Sequence, residues 1–146
     1  MRERIVVDTN VLFSFFKRES TTRRLILCIS AVSTIYAPEY LLEELRRYSK
    51  LIQKKAGISE EEFNKILDRL RKYILFVEYP SYEDWIDVAV GITPDPKDVD
   101  FVALALKFDA ILWSNDKALK EIGGIKVMNT GEIISMYPDC LGFSVE

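Results

Sequence analysis

Five short apolar runs recur along this chain, and each is followed by a stretch able to form a helix: Ile5-Val6-Val7, Thr34 to Ala37, Ile74 to Val77, Ala110 to Trp113 and Ile125 to Met128. Such runs are too short for helices, and most lack the polar residue at every second position that a half-exposed strand shows, so they read as strands covered on both faces. Between them the pattern predicts helices over Val11 to Phe16, from Thr21-Thr22 through Ser30 with Leu25, Ile29 and Val32 inward, and from Pro38 to just before Gly57. Further helices follow from the Ser59…Glu62 cap to about Tyr73, over Glu83 to Val90, Asp98 to Phe108 and Asp116 to Ile122, and from Thr130 to about Tyr137. Short strands alternating with helices imply an α/β fold, a mostly parallel sheet between two helical layers. With 146 residues, no internal repeat and no low-complexity linker, the expectation is one domain spanning residues 1–146.

The chain contains no histidine. That excludes histidine general bases, His-ligated zinc or haem, and the hydrolytic triads built on imidazole. Cys28 and Cys140 lie far apart and form no Cys-x-x-Cys pair, so they are expected to be incidental thiols in a reducing cytosol. No apolar stretch approaches the ~18 residues of a membrane span, and the opening residues do not read as a signal peptide, which predicts a cytoplasmic chain with no membrane partner. Gln53 is the only glutamine and there are four asparagines, a weak sign of a heat-adapted source.

The net charge of −3 conceals a sharp division. Residues 46–72 balance at +5 and residues 73–100 at −6. The basic stretch reads either as solvated helix faces or as a footprint for a phosphate backbone. Within it, Arg46, Arg47, Lys50, Lys54 and Lys55 are the candidates for holding a phosphate backbone.

The acidic residues are more specific. Asp8 ends the first strand, where ligands sit in open parallel sheets, although an aspartate there can also cap the next helix. On the helix after Pro38, Leu41, Leu45, Tyr48 and Ile52 define a buried stripe. At about 100° per residue Glu43 falls opposite that stripe and Glu44 on its flank, so Glu44 is the glutamate aimed at the protein. Asp95, Asp98 and Asp100 precede an apolar, alanine-containing helix, more acid than the helix dipole calls for. Asp116 follows the fourth strand. Acids gathered at strand ends raise one another's pKa unless a cation neutralises them, and hard ions such as Mg²⁺ suit an all-oxygen site. Such an ion acidifies water and clamps phosphate oxygens, which makes metal-assisted phosphodiester hydrolysis the chemistry consistent with these residues.

Val6-Val7-Asp8-Thr9-Asn10-Val11-Leu12, Pro38-Glu-Tyr-Leu-Leu-Glu-Glu44-Leu45, Asp98-Val-Asp100-Phe-Val-Ala-Leu-Ala105 and Ser114-Asn-Asp116 together resemble the PIN-domain family, in particular its VapC-like ribonucleases. The resemblance covers nearly the whole chain. It implies a three-layer α/β/α sandwich whose five-stranded parallel sheet runs in the order 3-2-1-4-5, an acidic pocket holding Mg²⁺ or Mn²⁺, and ribonuclease activity, which makes RNA the phosphate backbone for the basic candidates. It also implies the toxin half of a toxin–antitoxin pair as one biological setting, with an antitoxin protein as partner. Carried over position by position, Asp8, Glu44, Asp98 and Asp116 match the catalytic acids, with Asp8, Asp98, Asp100 and Asp116 as metal ligands. Asp98 and Asp100 compete for the third place. Asn10 and Ser114 match residues that orient Asp8 and Asp116. The basic 46–72 stretch and the loop with Pro94 and Pro96 depart from the short toxin pattern.

Two other readings stand beside the endoribonuclease: a catalytically idle PIN-fold module that binds RNA or protein, and a phosphoryl-accepting protein using an aspartate nucleophile. Phe13, Phe15 and Phe16 cannot all lie on one helical core stripe, which predicts an apolar surface and a homodimer.

Overall fold

The structure, a computed structural model, describes residues 2–142; the ends of the expected 1–146 domain, Met1 and residues 143–146, lie outside the described residues. Its strands are β1 (Arg4–Val7), β2 (Thr34–Pro38), β3 (Leu75–Val77), β4 (Ile111–Trp113) and β5 (Lys126–Met128). They form one sheet in the order β3-β2-β1-β4-β5, with every neighbouring pair parallel. This is the expected sandwich. Ile5, Val6 and Val7 are fully buried because β1 is paired on both sides and covered on both faces, whereas Leu75 on the edge strand β3 is exposed. The strand order turns back between β1 and β4, so their carboxyl ends flank the crevice where parallel sheets bind ligands.

The first helices are α1 (Thr9–Ser14), α2 (Thr21–Ile29), α3 (Tyr40–Arg47), α4 (Ser49–Ala56) and α5 (Glu60–Tyr73). After β3 come α6 (Tyr79–Tyr82), a 3-10 turn at Glu83–Trp85, α7 (Ile86–Ile92), a second 3-10 turn at Pro96–Asp98 and α8 (Val99–Phe108). The remainder are α9 (Lys117–Lys120), α10 (Thr130–Met136) and α11 (Asp139–Gly142). Ser59 and Glu62 form the expected reciprocal cap on α5. Six of the ten residues of the alanine-containing helix α8 are buried, since Ala103 and Ala105 let it pack closely on β1 and β2.

Several expectations change for physical reasons. Pro38 closes β2 instead of opening a helix: the ladder continues through the Glu39 N–H to the Val77 carbonyl, and the helix starts at Tyr40. The single long helix is broken at Tyr48, whose ψ of 17° leaves the helical range. The break turns Tyr48 out to 43% exposure while Leu41, Leu45 and Ile52 stay buried. Val32 is exposed because α2 ends at Ile29. Helix α1 ends at Ser14, and tighter turns (Phe15 N–H to Leu12 O, Phe16 N–H to Phe13 O) carry both Phe15 and Phe16 into the core. Phe16 stacks on Phe63 at 4.9 Å, and Phe13 is partly buried. Phe15 and Phe16 are thus spent in the core, whereas Phe13 lines an apolar groove with Tyr48, Leu51 and Ile52.

The cysteines are not free thiols: Cys28 and Cys140 form a disulfide. Helix α11 packs against α2, which brings the two Cα atoms to 5.6 Å across 112 residues of sequence. Paired cysteines and scarce glutamine are both features that heat-adapted chains accumulate. Among the described residues no helix is long and apolar enough to cross a membrane.

A cross-link that closes so long a loop restricts the unfolded chain strongly. Reduction, or Cys140→Ser, is expected to lower the unfolding free energy by about 3–5 kcal/mol in chemical denaturation, and Cys28→Ser to cost the same without adding to it.

Candidate active site

Asp8 is the first residue after β1, and the chain must change there from buried strand to helix. Its carboxylate makes that turn by capping α1: Oδ1 accepts the Val11 N–H at 2.9 Å, and the carboxylate also accepts hydrogen bonds from the Asn10 N–H and the Ser114 hydroxyl. Asp8 is only 6% exposed. Burial pushes its pKa up and the charge of Asp116 adds to the rise, while the three hydrogen bonds pull it back.

Ser114 follows β4 and is itself buried. Its oxygen accepts the Asp116 N–H at 3.1 Å while its hydroxyl serves Asp8, so one side chain fixes the spacing of two acids. Asp116 caps α9 through Oδ1, which accepts the Ala118 N–H at 2.9 Å. For Asp8 and Asp116, capping and facing a shared site are therefore compatible roles.

Asp98 differs: it stands at the N-cap of α8, but its side chain accepts no hydrogen bond from that helix. The 3-10 turn before it is capped by Asp95, whose Oδ1 accepts the Lys97 N–H at 3.0 Å. Burial raises the Asp98 pKa to about 6, helped by the charges of Asp95, Asp116 and Asp8 and opposed by Lys97. Glu44 comes from α3, half-buried, while Glu43 beside it is exposed, as the wheel arithmetic predicts.

Glu44, Asp98 and Asp116 line one open cleft of about 480 Å³, together with Asn10, Tyr40 and Lys97. Asp8 lies close enough for its charge to act on Asp98. Asn10 serves Asp8 through its backbone N–H, and its exposed side chain forms part of the cleft wall. Asp100 is set apart: it does not line the cleft, and its Oδ2 accepts the Tyr82 hydroxyl at 2.5 Å. Of the competing pair, Asp98 faces the cleft.

The donors are all hard oxygens, and among the described residues none of these four acids forms an ion pair. Such a set suits Mg²⁺ or Mn²⁺. Among the described residues, no three acidic side chains already converge tightly enough to be a finished metal site.

The basic candidates scatter. Arg46 lines a second cleft beside the first, Lys55 borders an apolar groove, and Arg47, Lys50 and Lys54 are exposed helix residues. The cation in the acidic cleft is Lys97, which sequence reasoning passed over although it stands between Asp95 and Asp98. Tyr40 and Tyr48 were also missed as cleft residues. No pattern in the sequence marks Tyr40, and Tyr48 falls on the core stripe of a periodicity that the helix break interrupts.

A family model described as PIN domain matches residues 6–136. Among solved structures, a chain in the crystal structure of VapBC2 from Rickettsia felis bound to a DNA fragment from their promoter is similar in fold, with a TM-score of 0.62 at 17% identity. The match covers 86% of this chain and 98% of that one. A search of curated proteins finds no match.

Since the Asp98 pKa is raised to about 6 from an ordinary 3.8, its contribution to stability is fully present below about pH 4 and is lost as pH rises through about 6. Without divalent ions, Asp98→Asn is thus expected to be more stable than the parent at pH 7.5. The gain is about 1 kcal/mol after allowing for solvent screening, and the gap closes towards pH 4. Thermal denaturation in EDTA at both pH values measures it; an unchanged or lower midpoint at pH 7.5 defeats the assignment of unrelieved repulsion.

Proposed function

The chain belongs to the PIN-domain family, and from that premise we propose that it is a divalent-metal-dependent endoribonuclease hydrolysing RNA phosphodiester bonds. One observation carries the reading: acids from three separate segments line one cleft with Asp8 near enough for its charge to act there, and Asp98, whose side chain makes no cap hydrogen bond, is held at a raised pKa by burial and by its acidic neighbours. Burial and like charge make an ionised Asp98 costly to the fold, and a bound cation would relieve that cost.

Asp8, Asp98, Asp116 and Glu44 are the residues that would hold Mg²⁺ or Mn²⁺, with Asp100, two residues on from Asp98, tied to Tyr82. When bound, the ion supplies an acidified water and positive charge for the non-bridging phosphate oxygens. The chain's own residues prepare the site. Ser114 and the Asn10 and Val11 N–H groups hold Asp8 in one orientation, and the same Ser114 oxygen sets Asp116. Lys97 offers the cleft a cation for an incoming phosphate.

The proposal takes the whole chain as one PIN domain acting in the cytoplasm. It keeps the toxin role, with an antitoxin protein as partner, that the family resemblance implies; the likeness in fold to a chain of VapBC2 supports it. The competing reading, an idle interaction module, draws on the absence of a finished metal set among the described residues.

Incubation with single-stranded and structured RNAs in Mg²⁺, Mn²⁺ or excess EDTA separates the two. Cleavage is expected only with the metal. Asp8→Asn is expected to reduce it by roughly a hundredfold or more, and Ser114→Ala by about 10- to 100-fold, the usual cost of removing a group that orients a ligand. No cleavage together with no metal binding by calorimetry would establish the idle module instead. RNA affinity is also expected to fall steeply as salt rises.

A further inference from the structure

A second cleft of about 500 Å³ adjoins the acidic one, and Tyr40 lines both. The ends of the basic 46–72 stretch meet in it: Arg46 from α3 and Arg71 from the last turn of α5. Among the described residues neither guanidinium makes an ion pair. To the same cleft α6 contributes Tyr79, 47% exposed. The Tyr79 ring stands edge-on to Tyr82 at 5.4 Å and 69°, and Tyr82 is buried and anchored by its hydroxyl to Asp100. Tyr79 is therefore a half-exposed aromatic face on a fixed support. Glu39 and Glu43 complete the walls with acceptor groups.

Resting on the ribonuclease reading above, we propose that this cleft is a nucleotide subsite, which takes one unpaired base of single-stranded RNA next to the phosphate held in the acidic cleft. A nucleobase presents a flat π face and a polar edge of N–H donors and carbonyl or ring-nitrogen acceptors, joined to an anionic backbone. Tyr79 matches the face, the two carboxylates the amino donors of the edge, and Arg46 and Arg71 the acceptors or the adjoining phosphate. The shared wall at Tyr40 makes the two clefts contiguous, so consecutive nucleotides can occupy them. A base inside a duplex keeps its faces stacked on its neighbours and cannot reach such a ring, so the site selects unpaired RNA. This also accounts for the basic stretch: what matters in it is the pair of arginines its ends bring together, not its overall charge.

The test is RNA binding without metal, which is independent of catalysis. Fluorescence anisotropy in EDTA at low salt compares the full chain with Tyr79→Ala, Tyr79→Phe and Arg71→Gln, on a labelled single-stranded oligonucleotide, its duplex, and a series carrying one abasic position. Tyr79→Ala and Arg71→Gln are expected to lose about tenfold in affinity for the single strand, with Tyr79→Phe close to the parent and the duplex bound more weakly. One abasic position should weaken the parent by a similar factor and leave Tyr79→Ala unaffected. Unchanged melting curves show that the variants fold. Equal affinity of parent and Tyr79→Ala for every oligonucleotide, or no binding by either, overturns the subsite. Failure of the nuclease reading has a separate signature: base-dependent binding intact, but no metal-dependent cleavage.

Discussion

A carboxylate sits almost wholly inside this protein at the end of its central strand, and the geometry around the cleft follows from how it is kept there. An ionisable group as buried as Asp8 is costly unless its oxygens are bonded. The protein meets that cost with the turn that starts α1 and with Ser114 from the neighbouring strand. Because β1 and β4 are adjacent and parallel, Ser114 stands beside Asp8, and the peptide that follows Ser114 delivers Asp116. One buried charge thus sets the register of the site as well as the entry into the first helix.

The acids around it are left unrelieved by the fold itself. Asp98 carries the clearest mark: its side chain makes no cap hydrogen bond, it is half-buried, and its acidic neighbours oppose its ionisation. Helix ends elsewhere in the chain show ordinary solutions, such as the reciprocal caps at Ser59 and Asn129. The contrast separates acids that finish secondary structure from an acid held in place at the expense of stability, the pattern expected where function sets the requirement. The two structural tyrosines beside the cleft belong to the same design. Tyr82 ties up Asp100, which removes one acid from the cleft and gives Tyr79 its support.

Much of this was legible before any coordinates. The three β-branched residues of β1 announced a buried central strand, and the helical wheel separated Glu44 from Glu43 correctly. The sheet order, by contrast, came from the resemblance to a family and not from periodicity. Three of the misreadings share one cause: a helical period extended through a point where the backbone turns. Tyr48, Val32 and the Phe15-Phe16 pair all lie at or beyond helix ends that no proline or glycine marks, so the pattern continued on paper where the chain did not.

Local chemistry in the sequence was enough to decide which segments become strands and helices, where most helices begin, and that imidazole chemistry is absent, because these depend on residues a few positions apart. Which distant groups would meet was decided only when the sheet closed. Nothing in the spacing of Cys28 and Cys140 announces a bond across 112 residues. Nor does it announce that Arg46 and Arg71 share a cleft, or that Asp98 and not Asp100 faces the acids. Those are consequences of three-dimensional packing: strand order and helix rotation convert positions far apart in sequence into neighbours, and a linear pattern carries neither.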